Sequence, residues 1–356
     1  METLNGDDLP QDVIIGILLR LPVKSLARFK CVSKSWYAII TSHNFVYKHL
    51  GNKNDGCLIA HYATGQSDLA SVVLFPDKTL ADSSYHAFEL PFSRAILHGP
   101  CNGIFFVTFG EQDYALWNPA TKEYLDLPSP AFPGGFCWDE CCGFGLDPVT
   151  NDYKVIVIQR LEEEDSLLIK VHTLGTDSWK DLEDLAQCER LYENTSYSYL
   201  NGNYYWWGSK HDGTDVVVSF DMGNDTFQEI EVPNLAEPAL KTLAVYNDLI
   251  AFLTFQTEEA EALLDLWVLN ECWTKQITIG PHPGVKHPIG CWKNGELLLQ
   301  SNTDRLLLCE PTKEIRDLGF QGTDYCIGVH VYKESLISIK DECEYRQRKE
   351  HQSHGE

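Results

Sequence analysis

A short, strongly apolar segment near the start of the chain lies between two prolines. In residues 13–21, seven of the nine side chains are apolar. Pro10 suits the first turn of a helix and Pro22 ends one, so the pattern predicts a helix of about three turns. Apolar side chains surround most of this helix, which must therefore be covered on more than one side.

Two more short helices are predicted to follow, over residues 23–30 and 33–41, the second with Ser33 as its N-cap. A unit of about 40 residues does not usually form a core of its own, so its remaining apolar surface should be covered by something else. The large remainder of the chain and an external protein are both candidates, and the composition does not choose between them.

After a polar break at residues 51–56, the chain consists of short β-type runs separated by turns. Turn dipeptides recur at positions 102, 151, 201, 247, 294 and 333, which are 49, 50, 46, 47 and 39 residues apart. Each interval holds about four strands, which is the pattern of a β-propeller blade.

The sixth unit of this repeat lacks its outer half. It holds the runs CIGVHVY and SLISI, and two further runs, CLIAHYA and SVVLF, are left over after the helical segment. Pairing these runs completes a sixth blade and removes an open sheet edge. The predicted fold is therefore α+β multidomain, with a three-helix unit at 5–50, an all-β six-bladed propeller at 57–340 and a charged tail at 341–356.

Charge and cysteine content narrow the class of protein. The chain has 28 basic and 52 acidic residues, and the first 50 positions hold six of the basic and four of the acidic ones. The remainder is strongly acidic, which argues against nucleic acid as a partner. The N-terminus lacks a signal-peptide pattern, and the longest apolar run is shorter than the roughly 18 residues that a membrane span needs. The twelve cysteines are scattered along the chain. We expect an intracellular protein, cytoplasmic or nuclear, with reduced thiols.

We expect no cofactor, no metal and no enzymatic activity. P-loop, dinucleotide and nucleophile-elbow motifs are missing from the sequence. A sugar-binding or hydrolytic propeller is the alternative. Two Cys/His strings lack the paired spacing of a zinc site: Cys137, Cys141 and Cys142, and His282, His287 and Cys291.

The helical segment, LPQDVIIGILLRLPVKSLARFKCVSKSW in residues 9–36, resembles an F-box along its whole length. The resemblance implies three helices that bind a Skp-type adaptor, which joins the protein to a cullin and a RING subunit. Carried over by position, the adaptor-binding residues are Leu9, Pro10, Val13, Ile17, Leu18, Leu21, Pro22, Leu26, Val32 and Trp36.

The rest of the chain resembles the type 1 F-box-associated domain of plants, a kelch-like propeller, in runs such as LWNPATKEYLDLP and GFGLDPVTNDYKVIVI. Within that group it is similar to S-locus F-box proteins, which recognise S-ribonucleases in self-incompatibility. The resemblance implies a non-catalytic substrate-recognition subunit of an SCF-type (Skp-cullin-F-box) ubiquitin ligase, which binds a protein for ubiquitination and proteasomal degradation. A non-degradative interaction protein is the alternative.

Substrate-binding residues are predicted on one rim of the propeller. In four-stranded blades, the loops between the second and third strands and the loops between blades share one face. These loops are acidic and would attract a basic protein, although solvated charges and aromatics buried between blades are the alternative. The sixth such loop is assigned to Asp341, Glu342 and Glu344. The predicted substrate-binding residues are Phe136, Trp138, Glu162, Glu163, Glu164, Asp165, Asp212, Asp215, Glu258, Glu259 and Glu261.

Overall fold

Four short helices at the N-terminal end of the described chain precede a ring of β-sheets. The computed structural model describes residues 9–51, 56–62, 69–76, 80, 84–93, 95–110, 112–132, 140–161, 166–183, 185, 188–193, 196, 198–233, 240–258, 261–280, 282–322 and 326–353.

The helices are α1 Gln11–Leu18, α2 Val23–Phe29, α3 Lys34–Thr41 and α4 His43–Gly51. The first three confirm the predicted helices, although α1 ends three residues earlier than expected because a turn precedes Pro22. Ser33 caps α3 as predicted, since its Oγ accepts a hydrogen bond from Trp36 N at 3.1 Å. Helix α4 was not predicted, because its buried Phe45 and Val46 lie among polar residues.

The β part forms six antiparallel sheets, each with four strands in its main path. In chain order the strands are β1 Cys57–Tyr62, β2 Leu69–Phe75, β3 His86–Ser93, β4 Ile96–Cys101, β5 Ile104–Phe109, β6 Asp113–Asn118, β7 Glu123–Leu127, β8 Glu140–Leu146, β9 Tyr153–Leu161, β10 Ser166–Thr173, β11 Ser178–Leu182, β12 Cys188–Tyr192, β13 Tyr199–Leu200, β14 Asn203–Lys210, β15 Asp215–Asp221, β16 Thr226–Glu231, β17 Leu240–Tyr246, β18 Leu249–Glu258, β19 Glu261–Leu269, β20 Trp273–Ile279, β21 Val285–Cys291, β22 Leu297–Ser301, β23 Arg305–Cys309, β24 Ile315–Gln321 and β25 Cys326–Tyr332. A short 3-10 turn spans Lys293–Gly295, and α5 Ile339–Ser353 follows the last strand.

The sheets are the six blades that the repeat predicts. Blade 1 is β4 to β7, blade 2 is β8 to β11, blade 3 is β12 to β16, blade 4 is β17 to β20, and blade 5 is β21 to β24. Blade 6 joins the two ends of the chain in the order β25-β1-β2-β3, with Cys57 opposite Tyr332 and Tyr62 opposite Cys326.

The predicted ring closure is confirmed, but its strand count was wrong. The C-terminal part supplies one strand rather than a hairpin, and the N-terminal part supplies three strands rather than two. The run SLISI is not a strand, and its Leu336, Ile337 and Ile339 are instead buried in a cluster that also contains residues of α1 to α4. The predicted charged tail begins with α5.

The recurring Asn turns confirm the repeat signal in physical terms. Asn102, Asn201 and Asn247 have φ angles of 53, 50 and 48°, and the residue after each also has a positive φ. Two consecutive positive φ angles define the tight type I′ hairpin turn, which Asn and Gly adopt at low cost. We call the side of the disc that carries these turns the Asn-turn face, and the opposite side, with the hairpin turns at 211–214 and 302–304, the rim face.

The buried apolar side chains fall into clusters between adjacent blades. One cluster joins blades 2 and 3 around Trp206 and Phe220, and another joins blades 5 and 6 around Leu58 and Leu298. The cluster between blades 1 and 2 extends into α1 to α4. The N-terminal helices therefore share a continuous core with the propeller.

Candidate functional site

The helices of the F-box unit bury one side against the propeller. Leu18, Leu26, Ile40 and Phe45 are at most 4% exposed and belong to the cluster that includes Leu336 and Ile337 of the segment after β25. The Lys333 ammonium also donates a hydrogen bond to the Leu50 carbonyl at the end of α4. The same-chain docking that composition left open is therefore observed on this side.

The other side of α1 keeps apolar side chains in solvent. Val13 and Ile17 are 44 and 50% exposed and are four residues apart, so they share one face of the helix, and Leu9, just before the helix begins, is 57% exposed. Val32, between α2 and α3, is 60% exposed. The unit therefore has one apolar face covered by its own chain and one face left exposed, and an external partner for the exposed face stays a prediction.

The remaining adaptor-binding candidates include exposed, half-buried and fully buried residues. Pro10 and Pro22 are exposed, whereas Leu21 and Trp36 are half-buried. Leu18 and Leu26 are 1% and 0% exposed, so in this structure they hold the helices together and present no surface to a partner. The resemblance does not separate these environments, because it matches residue types and not their packing.

An open groove lies beside the exposed stripe of α1. It has a volume of about 1050 Å³ and is bordered by side chains of α1, α3 and α4, among them Leu9, Ile15, Trp36, Ile39 and Phe45. Asp12 and Lys48 also line it. Such a groove can accept apolar side chains of a partner, while the charged pair supplies polar contacts.

The F-box unit meets the propeller on the Asn-turn face. Gly103 of the first Asn turn lies against Lys333 and Ser335, the segment that carries Leu336 and Ile337 to the helices. Asn118, at the end of β6 on the same face, donates from Nδ2 to the carbonyls of Ser335 and Ile337 at 3.2 and 2.8 Å. The rim face therefore lies on the side of the disc away from the helices.

Only part of the predicted substrate-binding set can be placed. Phe136, Trp138, Glu162, Glu163, Glu164, Asp165 and Glu259 lie outside the described residues. Glu258 and Glu261 are backbone partners in the register of β18 and β19, at the ends of these strands. Asp212 lies in the hairpin turn after β14, where its Oδ1 accepts a hydrogen bond from Thr214 N at 2.9 Å. Its hydrogen bonds with Thr214 lower the pKa of Asp212, which keeps it charged.

Two acids of the rim face are neutralised by neighbouring lysines. Asp215 pairs with Lys241 of blade 4, and Asp304 lies 3.0 Å from Lys286 Nζ. The rim is thus less negative than its composition suggests. The assignment of Asp341, Glu342 and Glu344 to the rim was wrong, because these residues lie in α5. The sixth connection between second and third strands is instead at residues 63–68, since β25 is the first strand of that blade.

An aromatic stack in blade 3, which Lys241 of blade 4 also contacts, was missed by the sequence analysis. The rings of Tyr192 and Trp207 are stacked at 3.9 Å, with the Arg190 guanidinium 5.3 Å from the Tyr192 ring and the Lys241 ammonium 5.3 Å from the Trp207 ring. Alternation in NYYWWGSK marks Trp207 as lying opposite the buried Trp206, but nothing in the sequence pairs it with Tyr192.

Polar contacts link blades 1, 2 and 3. His98 Nδ1 lies 3.3 Å from Glu193 Oε1, and Glu193 Oε2 accepts from Cys142 N at 3.0 Å. Glu140 Oε2 accepts from Tyr114 OH at 2.9 Å and from Gln159 Nε2 at 2.8 Å. These groups satisfy one another, so the network ties neighbouring blades together.

The cysteine and histidine strings show no metal chemistry in the part of the chain that the structure describes. Within it, no three His, Cys, Asp or Glu side chains are grouped to hold a metal ion. Burial raises the pKa of Cys291 to about 12 and, with the Glu140 carboxylate, raises that of Cys142 well above its ordinary value. Both thiols therefore stay protonated. Cys137 lies outside the described residues.

Comparison with known families agrees with this architecture. The F-box domain model matches residues 7–48, and the model of the F-box associated beta propeller domain matches residues 62–308. The chain belongs to the F-box-associated β-propeller family. Its F-box therefore corresponds to α1 to α4, and the family domain covers most of the six blades.

Relatives of this F-box protein match it over most of its length. An F-box/kelch-repeat protein of Arabidopsis thaliana is 28% identical over 305 residues, covering 80% of this chain and 82% of that protein. The F-box protein CPR1 of the same plant is 26% identical over 315 residues, covering 78% and 74%. A chain in the solved nidogen/laminin complex superposes with a TM-score of 0.51 at 13% identity, covering 79% of this chain and 100% of that one. This last similarity concerns the propeller fold alone.

Helices long and apolar enough to cross a bilayer were not found among the residues described for this F-box protein.

Proposed function

We propose that this chain is the substrate-recognition subunit of an SCF-type ubiquitin ligase and acts in the cytoplasm or nucleus. Its F-box binds a Skp-type adaptor, and through it a cullin and a RING subunit. The observation that carries the proposal is the one-sided packing of the F-box, whose inner face is fixed to the propeller while Leu9, Val13 and Ile17 remain exposed on its outer face.

An exposed apolar stripe of this kind favours a protein partner. Burying one large apolar side chain is worth roughly 1.5–3 kcal/mol, so three of them beside an apolar groove can anchor an interface. Pro10, Pro22, Val32, Leu21 and Trp36 extend the accessible set. Leu18 and Leu26 act through the positions of α1 and α2, which they hold in place.

The rim face is the proposed site for the protein that is ubiquitinated. It lies on the side of the disc away from the F-box, so adaptor and substrate can be held at the same time. The chain then accelerates transfer of ubiquitin by holding a substrate lysine near the enzyme that carries the ubiquitin, which is catalysis by proximity. The proposed substrate is a basic protein, and the resemblance to S-locus proteins makes S-ribonucleases the candidates to test first.

Affinity purification from plant extract with three baits tests the ligase role. The baits are the native chain, the double variant Val13→Asp/Ile17→Asp, and Val149→Asp as a matched control at a propeller position that is 76% exposed. Loss of two interface anchors worth about 2 kcal/mol each would raise the adaptor Kd about 1000-fold. Because both positions are exposed, thermal unfolding of the double variant should match that of the native chain.

We expect adaptor and cullin with the native chain and with Val149→Asp, and neither with the double variant. Adaptor without cullin would replace the ligase role by a non-degradative one. Equal recovery of the adaptor by all three baits, or by none, would refute the proposed interface.

A further inference from the structure

Helix α5 contacts the F-box helices directly. The rings of His43, at the start of α4, and Tyr345 of α5 lie 5.1 Å apart, and His43 Nε2 is 3.8 Å from Glu342 Oε1. One turn further along α4, Tyr47 lies beside the same carboxylate: burial and the Glu342 charge raise the pKa of Tyr47 to about 12. Consecutive turns of α4 therefore meet the same side of α5.

The same helix is anchored to blade 2 by a buried arginine. Arg346 is 7% exposed, and its guanidinium lies 2.9 Å from Glu342 and 3.4 Å from Asp152. It also donates to the carbonyl of Asn151 and lies 4.9 Å above the ring of Tyr153. Glu342 thus contacts the F-box and the arginine together, and the arginine contacts the propeller.

The first turn of α5 is fixed to blade 1. Glu123 of β7 accepts hydrogen bonds from Ser338 Oγ at 3.0 Å and from Ile339 N at 3.1 Å. Ile339 itself is fully buried. Two blades therefore hold α5 near its start and about two turns further on.

Burying three charged groups is costly unless each has its partners in place. Glu342, Arg346 and Asp152 are 7, 7 and 5% exposed, and the arginine satisfies both acids at once. Removing one member of such a network costs about 3–5 kcal/mol, whereas the intact network adds little stability and mainly selects one arrangement. A small rotation of the F-box would separate His43 and Tyr47 from Glu342, so the network disfavours alternative orientations.

We propose that α5 is a strut that fixes the orientation of the F-box on the propeller, with Glu342 and Arg346 as its positioning residues. The consequence for ubiquitin transfer rests on the proposed function, since a substrate on the rim face must be held at a constant position relative to the adaptor. The orientation itself is a property of the chain alone and can be measured without any partner.

Spin-label distance measurements on the full chain test the strut. Cys31 of the F-box and Cys272 of blade 4 are exposed and serve as labelling sites, with Cys31→Ser and Cys272→Ser chains to identify background labelling. The variant is Arg346→Met, and Lys340→Met is the control, because it removes one positive charge from an exposed position of the same helix. We expect one narrow distance distribution for the native chain and the control, and a broadened or split one for Arg346→Met.

A second variant covers the case in which Arg346→Met does not fold. His43 of α4 and Tyr345 of α5 are partly exposed and contact each other, so His43→Ala/Tyr345→Ala should loosen the contact between the F-box and α5 without disturbing the propeller. A narrow, unchanged distribution in this folded variant would overturn the proposal.

Reconstituted ubiquitination adds a second readout. With the strut released, the transfer rate should fall about tenfold or more while adaptor affinity and substrate capture stay unchanged. If the distances broaden in the variants but neither they nor the native chain bind the adaptor, the proposed function is wrong while the role of α5 is supported. An unchanged rate despite broadened distances would show that the strut fixes the F-box without affecting transfer.

Discussion

Two neighbouring residues of α1, Ile17 and Leu18, have opposite environments. Ile17 is 50% exposed, whereas Leu18 is 1% exposed in the core shared with the propeller. Both are large aliphatic residues and both match the F-box pattern, so residue type does not distinguish an interface position from a core position. The direction of each side chain on a docked helix makes that distinction.

Buried histidines are another feature that only the surroundings explain. His61 on β1 and His330 on β25 are buried at the ring closure. Burial, followed by the charge of His330 and of His98, lowers the pKa of His61 to about 3. Burial lowers that of His330 to about 4. Both rings are therefore neutral in the folded protein at physiological pH.

These lowered pKa values predict a loss of stability in mild acid. Below about pH 6.5 the unfolded chain protonates its histidines, whereas the folded chain leaves these two neutral until pH 4 or 3. Each should cost about 2 kcal/mol between pH 7 and pH 5. Urea unfolding at the two pH values measures the effect. His330→Phe should reduce it, His43→Ala should not, and equal pH dependence in all three proteins would contradict the assignment.

At the level of elements, β25 is the strand on which ring closure depends. It is the first strand of blade 6 and pairs with β1 over the whole length of that strand. Val329 on β25 is buried together with Leu58 and Ala60 of β1 and with residues of blade 5. One strand at the C-terminal end therefore completes both a sheet and an interface between blades.

Truncations at three points should separate closure from docking. A chain ending at residue 325 lacks β25, leaves β1 as an exposed edge, and should lose its cooperative thermal transition. A chain ending at 332 keeps β25 but lacks α5, and should keep the transition with a lower Tm. A chain ending at 346 keeps the α5 anchor and should unfold like the full chain. Near-UV circular dichroism follows these transitions, and a cooperative transition at native Tm in the shortest chain would refute the role of β25.

At the level of the whole molecule, net charge overstates the charge available to a partner. The chain carries a formal charge of −24, yet Asp215 and Asp304 on the rim face are already paired with lysines. Recognition of a basic protein therefore depends on the unneutralised part of the rim. Glu162, Glu163, Glu164 and Asp165 are the largest group of candidates in one connection, and the first three are the ones to reverse.

Charge reversal tests whether this group attracts the substrate. Glu162→Lys/Glu163→Lys/Glu164→Lys should weaken binding of a basic S-ribonuclease at low salt and flatten its salt dependence, because exposed charges act over about one Debye length. Adaptor binding should not change. The control reverses three exposed acids in turns of the Asn-turn face, Asp248, Glu271 and Glu314. Equal loss in both variants would indicate a net-charge effect, and unchanged binding in the first would exclude the acidic rim.

The sequence by itself determined the repeat, the all-β propeller fold, the joining of both chain ends in blade 6 and the first three helices. These follow from local causes: apolar periodicity, Asn turns that adopt positive φ, and prolines that bound a helix. The F-box pattern likewise indicated an interaction surface, because so small a unit cannot cover its own apolar residues.

Only the tertiary structure decided which of those residues face outward, where α5 lies and which rim charges are neutralised. Leu18 and Leu26 are buried, and Asp215 and Lys241 pair across two blades. The sequence analysis assigned Glu342 to the rim face, but Glu342 lies on the opposite side of the disc, the Asn-turn face. These contacts join residues far apart in the chain, and no local pattern records which distant side chain will meet a given one.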